Sequence, residues 1–138
     1  TGSADAGDVL QGTTGADAFT VDGANSGTAG GINYSGFENL EGLAGGDTFT
    51  LNTGGSVTSI DGGADGDEII GTDDGNTFII NAANAGAVNG IGFAAVENLT
   101  GGAGSDVFTV AAGESPAGRA RSSTRRPKTP PDSLKSLK

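Results

Sequence analysis

One spacing constrains this chain more than any other feature: large apolar residues recur every 29 to 30 positions. The phenylalanines that set this spacing are Phe19, Phe49, Phe78 and Phe108. Nine positions before each of them lies an aliphatic residue: Leu10, Leu40, Ile69 and Leu99. A fixed period of this length is typical of repeat arrays, in which each unit buries its apolar side against its neighbours. We therefore expect stacked, similar units rather than one irregular globule.

A longer period of 59 residues is superimposed on the short one. The segment GINYSGFENLEG at residues 31–42 returns as GIGFAAVENLTG at residues 90–101, so that Ile32 corresponds to Ile91. The chain is therefore expected to hold two long repeats, each built of two unlike coils.

The alternation of apolar and polar residues predicts strands. In AFTVDG, TFTLNT, TFIINA and VFTVAA, the phenylalanine and the residue two positions later point to one side, and the residue between them points to the other. Gly, Asn, Asp and Ser bound each run, as in strands joined by turns.

These patterns together predict an all-β fold, a right-handed parallel β-solenoid of three to four coils with about 30 residues per coil. The equivalent phenylalanines are expected to form one internal ladder, in which Phe49 lies between Phe19 and Phe78. A twisted β-sandwich with a coincidental spacing is the alternative.

The composition divides the chain near residue 116. All seven lysines and arginines lie between Arg119 and Lys138, whereas sixteen of the 17 acidic residues lie before them. We assign residues 1–115 to a β-solenoid domain and residues 116–138 to a basic, Pro/Ser-rich tail that cannot bury enough apolar surface to fold. The tail is either a natural linker for an anionic partner or a remnant of cloning or out-of-frame translation, and we favour the second.

The acidic body excludes several classes of function. It has no Cys, His, Lys or Arg, so catalytic triads, thiol chemistry and Schiff bases have no residues to form them, and we expect no enzyme. Its negative charge opposes nucleic-acid binding. The apolar runs are too short for membrane insertion. The chain lacks an initiator Met and starts inside a repeat, which predicts a piece of a longer protein.

The glycine-rich turns carry the clearest motif. The segment GGAGSDVFT at residues 101–109 fits the nonapeptide G-G-x-G-x-D-x-U-x at each position, where U is a large apolar residue. Degenerate copies are GTTGADAFT, GLAGGDTFT, GGADGDEII and GTDDGNTFI, which begin at residues 12, 42, 62 and 71. Over roughly residues 3–112, the chain resembles the haemolysin-type (RTX) calcium-binding repeats and the ENL-containing repeats of very large bacterial surface proteins.

This resemblance implies Ca²⁺ between adjacent turns, bound by turn carbonyls and by the motif aspartate. The motif aspartates are Asp17, Asp47 and Asp106, with Asn76 in a fourth copy, and they are expected to form one ladder. For any single aspartate, the alternative is that it caps its own turn.

Further acidic residues are candidates for cation binding. A second row at the same step contains Asp8, Glu38, Asp67 and Glu97. It is either a set of ligands, a set of acceptors for backbone N–H groups in bends, or a solvated face. The densest acidic stretch adds Asp65, Asp67 and Asp73 as candidate ligands, or is a solvated loop.

We therefore expect a structural or adhesive module of a large secreted or cell-surface bacterial protein, stabilised by Ca²⁺. Open solenoid ends expose strand edges, so end-to-end self-association is also expected. One alternative is an ice-binding or other flat-face binding solenoid, because Thr20, Thr50 and Thr109 share one phase. A second is a carbohydrate-active β-helix fragment that would use paired carboxylates.

Overall fold

A computed structural model describes residues 7–111 and the backbone of Ala120 and Arg121. Within these residues the chain is all-β and contains no helix. The strands are β1 Val9–Gln11, β2 Ala18–Gly23, β3 Ser26–Ala29, β4 Ile32–Ser35, β5 Asn39–Glu41, β6 Thr48–Leu51, β7 Ser59–Asp61, β8 Glu68–Ile70, β9 Thr77–Ala82, β10 Ala85–Val88, β11 Ile91–Ala94, β12 Asn98–Thr100, β13 Val107–Val110 and β14 Ala120–Arg121.

The strands form two seven-stranded sheets, between which the chain alternates. Sheet A has the order β1-β5-β7-β11-β10-β9-β13, and sheet B the order β14-β12-β8-β6-β2-β3-β4. Strands of successive coils pair in parallel, as β1 does with β5 and β2 with β6. The chain is thus a β-solenoid of about three turns, as predicted. Two passages, β2–β4 and β9–β11, are antiparallel three-stranded meanders that widen the sheets.

One apolar core lies between the two sheets. In β2, Phe19 and Val21 are buried and the intervening Thr20 is half-exposed, which confirms the predicted alternation. Phe19 stacks on Phe49 with ring centroids 4.8 Å apart and planes 9° from parallel. Such rings bury large apolar areas and contribute most to a thin core.

The prediction of one ladder of four phenylalanines is wrong. Phe49 pairs with Phe19 on one side but with Ile69, not Phe78, on the other. Phe78 pairs instead with Phe108, in sheet A. Hydrogen bonds between successive coils join residues 30, 20 and 30 positions apart, so the middle coil is short and has no meander.

The two copies of the 59-residue repeat occupy exchanged sheets. Strands β1–β7 correspond in order to β8–β14, and the chain crosses between the sheets an odd number of times from β1 to β8. The first copy contributes three strands to sheet A and four to sheet B, and the second contributes four and three. Together they give both sheets the same number of strands.

The predicted domain boundary at residues 115 and 116 lies outside the described residues, as does most of the tail. The backbone of β14 pairs in parallel with β12, with Ala120 opposite Leu99.

A candidate cation site at the glycine-rich corners

The glycine-rich turns lie where the chain passes from one sheet to the other. Turns 12–17, 42–47 and 62–67 lead from sheet A to sheet B, and turns 71–76 and 101–106 lead from sheet B to sheet A. Three of the nonapeptide motifs therefore stack on successive coils at one corner, although long segments separate them in sequence. The other two stack at the opposite corner.

Four acidic residues at the first corner each precede a strand of sheet B, and we call them the Asp47 column: Asp17, Asp47, Asp67 and Glu97. The backbone N–H of Asp17 donates to Oδ1 of Asp47 at 2.7 Å. The N–H of Asp47 donates to Oδ1 of Asp67 at 2.7 Å. The N–H of Asp67 donates to Oε2 of Glu97 at 2.9 Å. The side chains of Asp47, Asp67 and Glu97 therefore tie their own coils to the preceding ones.

Both acidic ladders predicted from the sequence are wrong in their middle step. Asp47 is followed in space by Asp67 rather than by Asn76, so the column combines the first two members of one predicted ladder with the last two of the other. The N–H of Asn76 donates to Oδ1 of Asp106 at 2.9 Å, at the opposite corner. The N–H of Asp8 donates to Glu38 at 3.1 Å, before strands of sheet A. The short middle coil causes this change of partners. After it, each motif lies before a strand of the other sheet than a regular 30-residue repeat would give.

Asp47 and Asp67 are buried, with 1% and 0% of their surface exposed. One oxygen of each, Oδ2, has no hydrogen-bond partner. Asp17 differs, since its Oδ2 accepts the backbone N–H of Thr13 at 2.6 Å. A buried polar atom without a partner is costly, and a buried charge is more so.

The turn before the satisfied carboxylate differs in conformation from the turns before the two unsatisfied ones. Thr13 lies four positions before Asp17 and donates to it. The residues that take its place before Asp47 and Asp67 are Leu43 and Gly63, which have φ values of 83° and 104°. Neither N–H donates to the Oδ2 atom of the aspartate that follows it.

Gly42 and Gly62 leave a small space beside the unpartnered oxygens. A Cβ at Gly42 would lie 2.1 Å from Oδ2 of Asp47 and 2.5 Å from the carbonyl oxygen of Gly62. A Cβ at Gly62 would lie 2.6 Å from Oδ2 of Asp67 and 2.1 Å from the carbonyl oxygen of Ala95. Each space is therefore bounded by a carboxylate oxygen of one coil and a carbonyl oxygen of the next. Only glycine, which has no side chain, can lie here.

At the opposite corner, a hydrogen bond joins the corresponding side chain to the carbonyl oxygen of the next coil. There Asn76 takes the place of the aspartate, and its Nδ2 donates to the carbonyl oxygen of Gly101 at 2.5 Å. At the equivalent place, Asp47 has a carboxylate oxygen near the carbonyl oxygen of Gly62, whereas Asn76 has an N–H that donates to the carbonyl oxygen of Gly101. Two acceptor oxygens that face each other can be joined by a shared proton, by a cation or by a water molecule that donates to both.

The electrostatics of the column favour such a positive charge. Burial first, and then the nearby carboxylates of Asp47, Glu97 and Asp65, raise the pKa of Asp67 to about 6 in all. The hydrogen bond from the N–H of Asp47 opposes this shift. Burial likewise raises the pKa of Asp47, with Asp17 and Asp65 acting in the same direction. Both residues therefore resist holding a bare negative charge.

The acidic stretch at residues 65–74 does not form one cluster. Asp65 is exposed at the first corner, where it accepts the N–H of Gly45 at 3.1 Å. Asp73 is exposed at the opposite corner, where it accepts the N–H of Ala103 at 3.1 Å. Strand β8 separates the two, so Asp73 cannot join Asp65 and Asp67 in one site.

The glutamates of the two ENL motifs accept backbone N–H groups, which was one of the roles left open by the sequence. Each also accepts a side-chain amide from the hairpin of its own repeat. Asn25 donates to Glu38 at 2.9 Å, and Asn84 donates to Glu97 at 2.8 Å. Sequence reasoning missed these asparagines, although their separation of 59 residues was a signal.

Within residues 7–111, no three carboxylates converge closely enough to hold a metal ion without other ligands. The same part of the chain has no helix that could cross a membrane. Comparisons of the chain with models of protein families, with curated proteins and with solved structures find no match. The proposals below therefore depend on the fold and on the geometry of the corners.

Proposed function

We propose that this chain is a structural module of a large secreted or cell-surface bacterial protein, and that Ca²⁺ stabilises it at the Asp47 column. The observation that carries the calcium site is the pair of buried, unpartnered oxygens on Asp47 and Asp67. Each faces a carbonyl oxygen of the next coil across a space that only glycine leaves open. Carboxylate and carbonyl oxygens are the ligands that Ca²⁺ prefers.

The stacking of the turns also supports a calcium site. The motif copies at residues 12, 42 and 62 are distant in sequence but adjacent in space. A cation between two turns would neutralise carboxylates that otherwise repel each other across a coil spacing of about 5 Å. Asp47 and Asp67 are the residues that would hold it, with turn carbonyls completing the ligand set.

The architecture suits a mechanical rather than a catalytic role, and we propose that the module is not an enzyme. Parallel strands tie each coil to the next through backbone hydrogen bonds and through the column carboxylates. Stacked coils of this kind extend along one axis and keep their neighbours at fixed spacing.

A calcium titration followed by thermal unfolding tests this proposal. A ligand that binds only the folded state raises the melting temperature by mass action. We expect millimolar Ca²⁺ to raise the Tm by about 5 °C or more relative to EDTA. The combined substitution Asp47→Asn and Asp67→Asn should abolish the response and raise the Tm in EDTA, since an amide can donate where the carboxylate cannot.

Asp61→Asn is the matched control, because it removes one exposed carboxylate from β7 outside the column. It should leave the response to Ca²⁺ intact. Identical melting curves of the unsubstituted protein in Ca²⁺ and in EDTA would contradict the calcium site.

One observation favours flat-face binding as a second candidate function. A row of register partners across sheet B contains Thr28, Thr20, Thr50 and Thr100, with Ile70 before the last. Thr109, predicted to share this row, lies instead in sheet A beside Ile79. Shaping of ice crystals that is independent of Ca²⁺ and is lost in Thr50→Lys would favour this candidate.

A further inference from the structure

The chain contains an internal junction between its two repeats. At this junction, β8 and β11 of the second repeat pair with β6 and β7 of the first. In the first repeat, the strands that correspond to β8 and β11 are β1 and β4. Among the described residues, β1 and β4 are the terminal strands of their sheets. We call their free edges the N-terminal face.

Side chains that are buried at the junction are uncovered at the N-terminal face. Ile91 is 4% exposed in β11, whereas Ile32 at the same place in β4 is 75% exposed. Two further pairs behave in the same way: Ile69 and Val96 are fully buried, and their counterparts Leu10 and Phe37 are only partly buried. Among residues 7–111, no strand covers the N-terminal face as β6 and β7 cover the junction.

A hollow of about 490 Å³ lies at this face. Its apolar lining is formed by Leu10, Phe19, Ala29, Ile32, Tyr34 and Phe37. At the junction, the corresponding space is closed by β6 and β7, which bring Leu51 and Ile60 into the core. The hollow thus lies, with an apolar lining, at the place that a β6–β7 pair occupies at the junction.

The other end of the molecule presents the strands that correspond to β6 and β7. These are β13, at the end of sheet A, and β14, at the end of sheet B. Their outer edges pair with no other described strand, and we call these edges the C-terminal face. Val110 in β13 is only partly buried, whereas its counterpart Leu51 in β6 is buried.

We propose that the C-terminal face of one copy of this chain binds the N-terminal face of another, in the register of the internal junction. At the junction, Phe49 pairs with Ile69 and Ile60 pairs with Phe93. The equivalent intermolecular pairs place Phe108 beside Leu10 of the next copy, and the backbone of Ala120 beside Tyr34.

The sheet arrangement makes this contact continuous. In it, β13 would pair with β1, and both belong to sheet A, while β14 would pair with β4, and both belong to sheet B. Each face thus presents one strand of each seven-stranded sheet, so both sheets would continue from one copy into the next. The contact is heterologous and does not close on itself, so it generates open fibres rather than a defined dimer.

Sedimentation velocity over a range of protein concentrations tests the proposal. Each copy carries a formal charge of −10, so about 0.5 M salt should be present to screen repulsion between copies. We expect the weight-average mass to rise with concentration beyond that of a dimer. Ile32→Lys should weaken association at least tenfold, because it places a charge in the hollow.

Ile79→Lys is the matched control, since it makes the same change at an apolar residue that is 44% exposed on β9, away from both faces. It should associate like the unsubstituted protein. Equal loss of association in both lysine variants would overturn the proposal, as would a protein that stays monomeric at its solubility limit.

A mixing experiment establishes the polarity of the contact. Ile32→Lys blocks the N-terminal face, and Val110→Lys blocks the C-terminal face. Head-to-tail binding predicts that each variant alone is monomeric and that a mixture forms dimers only. Dimers of the Val110→Lys variant alone would show face-to-face binding and would contradict the proposal. Circular dichroism checks that each variant folds. If Val110→Lys does not fold, the comparison of Ile32→Lys with Ile79→Lys still tests the proposal.

Discussion

At the scale of single residues, the buried carboxylates of Asp47 and Asp67 serve two purposes. One oxygen of each accepts an N–H from the preceding coil and so fixes the stacking of the turns. The other oxygen has no hydrogen-bond partner and lies near a carbonyl oxygen of the next coil. The stability of the solenoid should therefore depend on what occupies that space.

The raised pKa of Asp67 gives a pH dependence of unusual sign. Its folded-state pKa is about 6, against an ordinary value of 3.8. Between these values the folded protein holds more protons than the unfolded chain, so the free energy of unfolding falls as the pH rises through this window. In EDTA, we expect the Tm to be higher at about pH 5 than at pH 7, by roughly 5 °C.

Asp67→Asn should flatten this profile, and Asp61→Asn should not. Thermal unfolding followed by circular dichroism at a series of pH values in EDTA measures the effect. A metal-free protein that loses stability on acidification from pH 7 to about 5, with or without Asp67, would contradict the assignment.

The sequence identified the aspartates of this site but not their arrangement. The G-x-x-G-x-D phase predicted Asp17 and Asp47, and the second acidic row predicted Asp67. That Asp67 follows Asp47 in space depends on a coil of 20 residues, which shifts the register of everything after it. The left-handed conformation of Leu43, in the turn before the unsatisfied Asp47, has no signature in the residue type.

At the scale of strands, alternation predicted which side chains face the core. Phe19, Phe49, Phe78 and Phe108 are all buried, as the sequence indicated. The meanders β2–β4 and β9–β11 were not predicted, since their middle strands, SGTA and AGAV, are short and rich in small residues. Such segments carry little periodicity, and only the packing of a neighbouring strand makes them β-strands.

Truncation of Phe49 tests the inward orientation of these strands. Phe49 is fully buried between its register partners Phe19 and Ile69. Phe49→Ala should cost about 3–5 kcal/mol of unfolding free energy, as other buried phenylalanines do. Thr50→Ala, on the outer side of the same strand, should cost well under 1 kcal/mol, roughly the scale of surface changes.

Urea denaturation of both variants measures these costs. Phe108→Ala should cost less than Phe49→Ala, because among the described strands β13 is terminal in sheet A and Phe108 has a register partner only on the side of Phe78. Equal costs for Phe49→Ala and Thr50→Ala would show that the strand does not face the core as described.

At the scale of the whole molecule, the exchange of sheets between the two repeats organises every other feature. It separates Asn76 and Asp106 from the Asp47 column. It also gives each seven-stranded sheet three strands from one repeat and four from the other. The period of 59 residues was readable in the sequence. Its relation to the two sheets was not, because it depends on the number of crossings in the short middle coil.

Engineered disulfides measure this exchange most directly, since the chain has no cysteine of its own. Thr50 and Ile70 are register partners in sheet B, whereas Ile79 lies in sheet A. Adjacent strands are about 4.8 Å apart, within the Cα separation that a disulfide spans. Under mild oxidation, the pair Thr50→Cys and Ile70→Cys should form an intramolecular disulfide, and the pair Thr50→Cys and Ile79→Cys should stay reduced. The opposite result would restore a single ladder of 30-residue coils and contradict both the Asp47 column and the exchanged repeats.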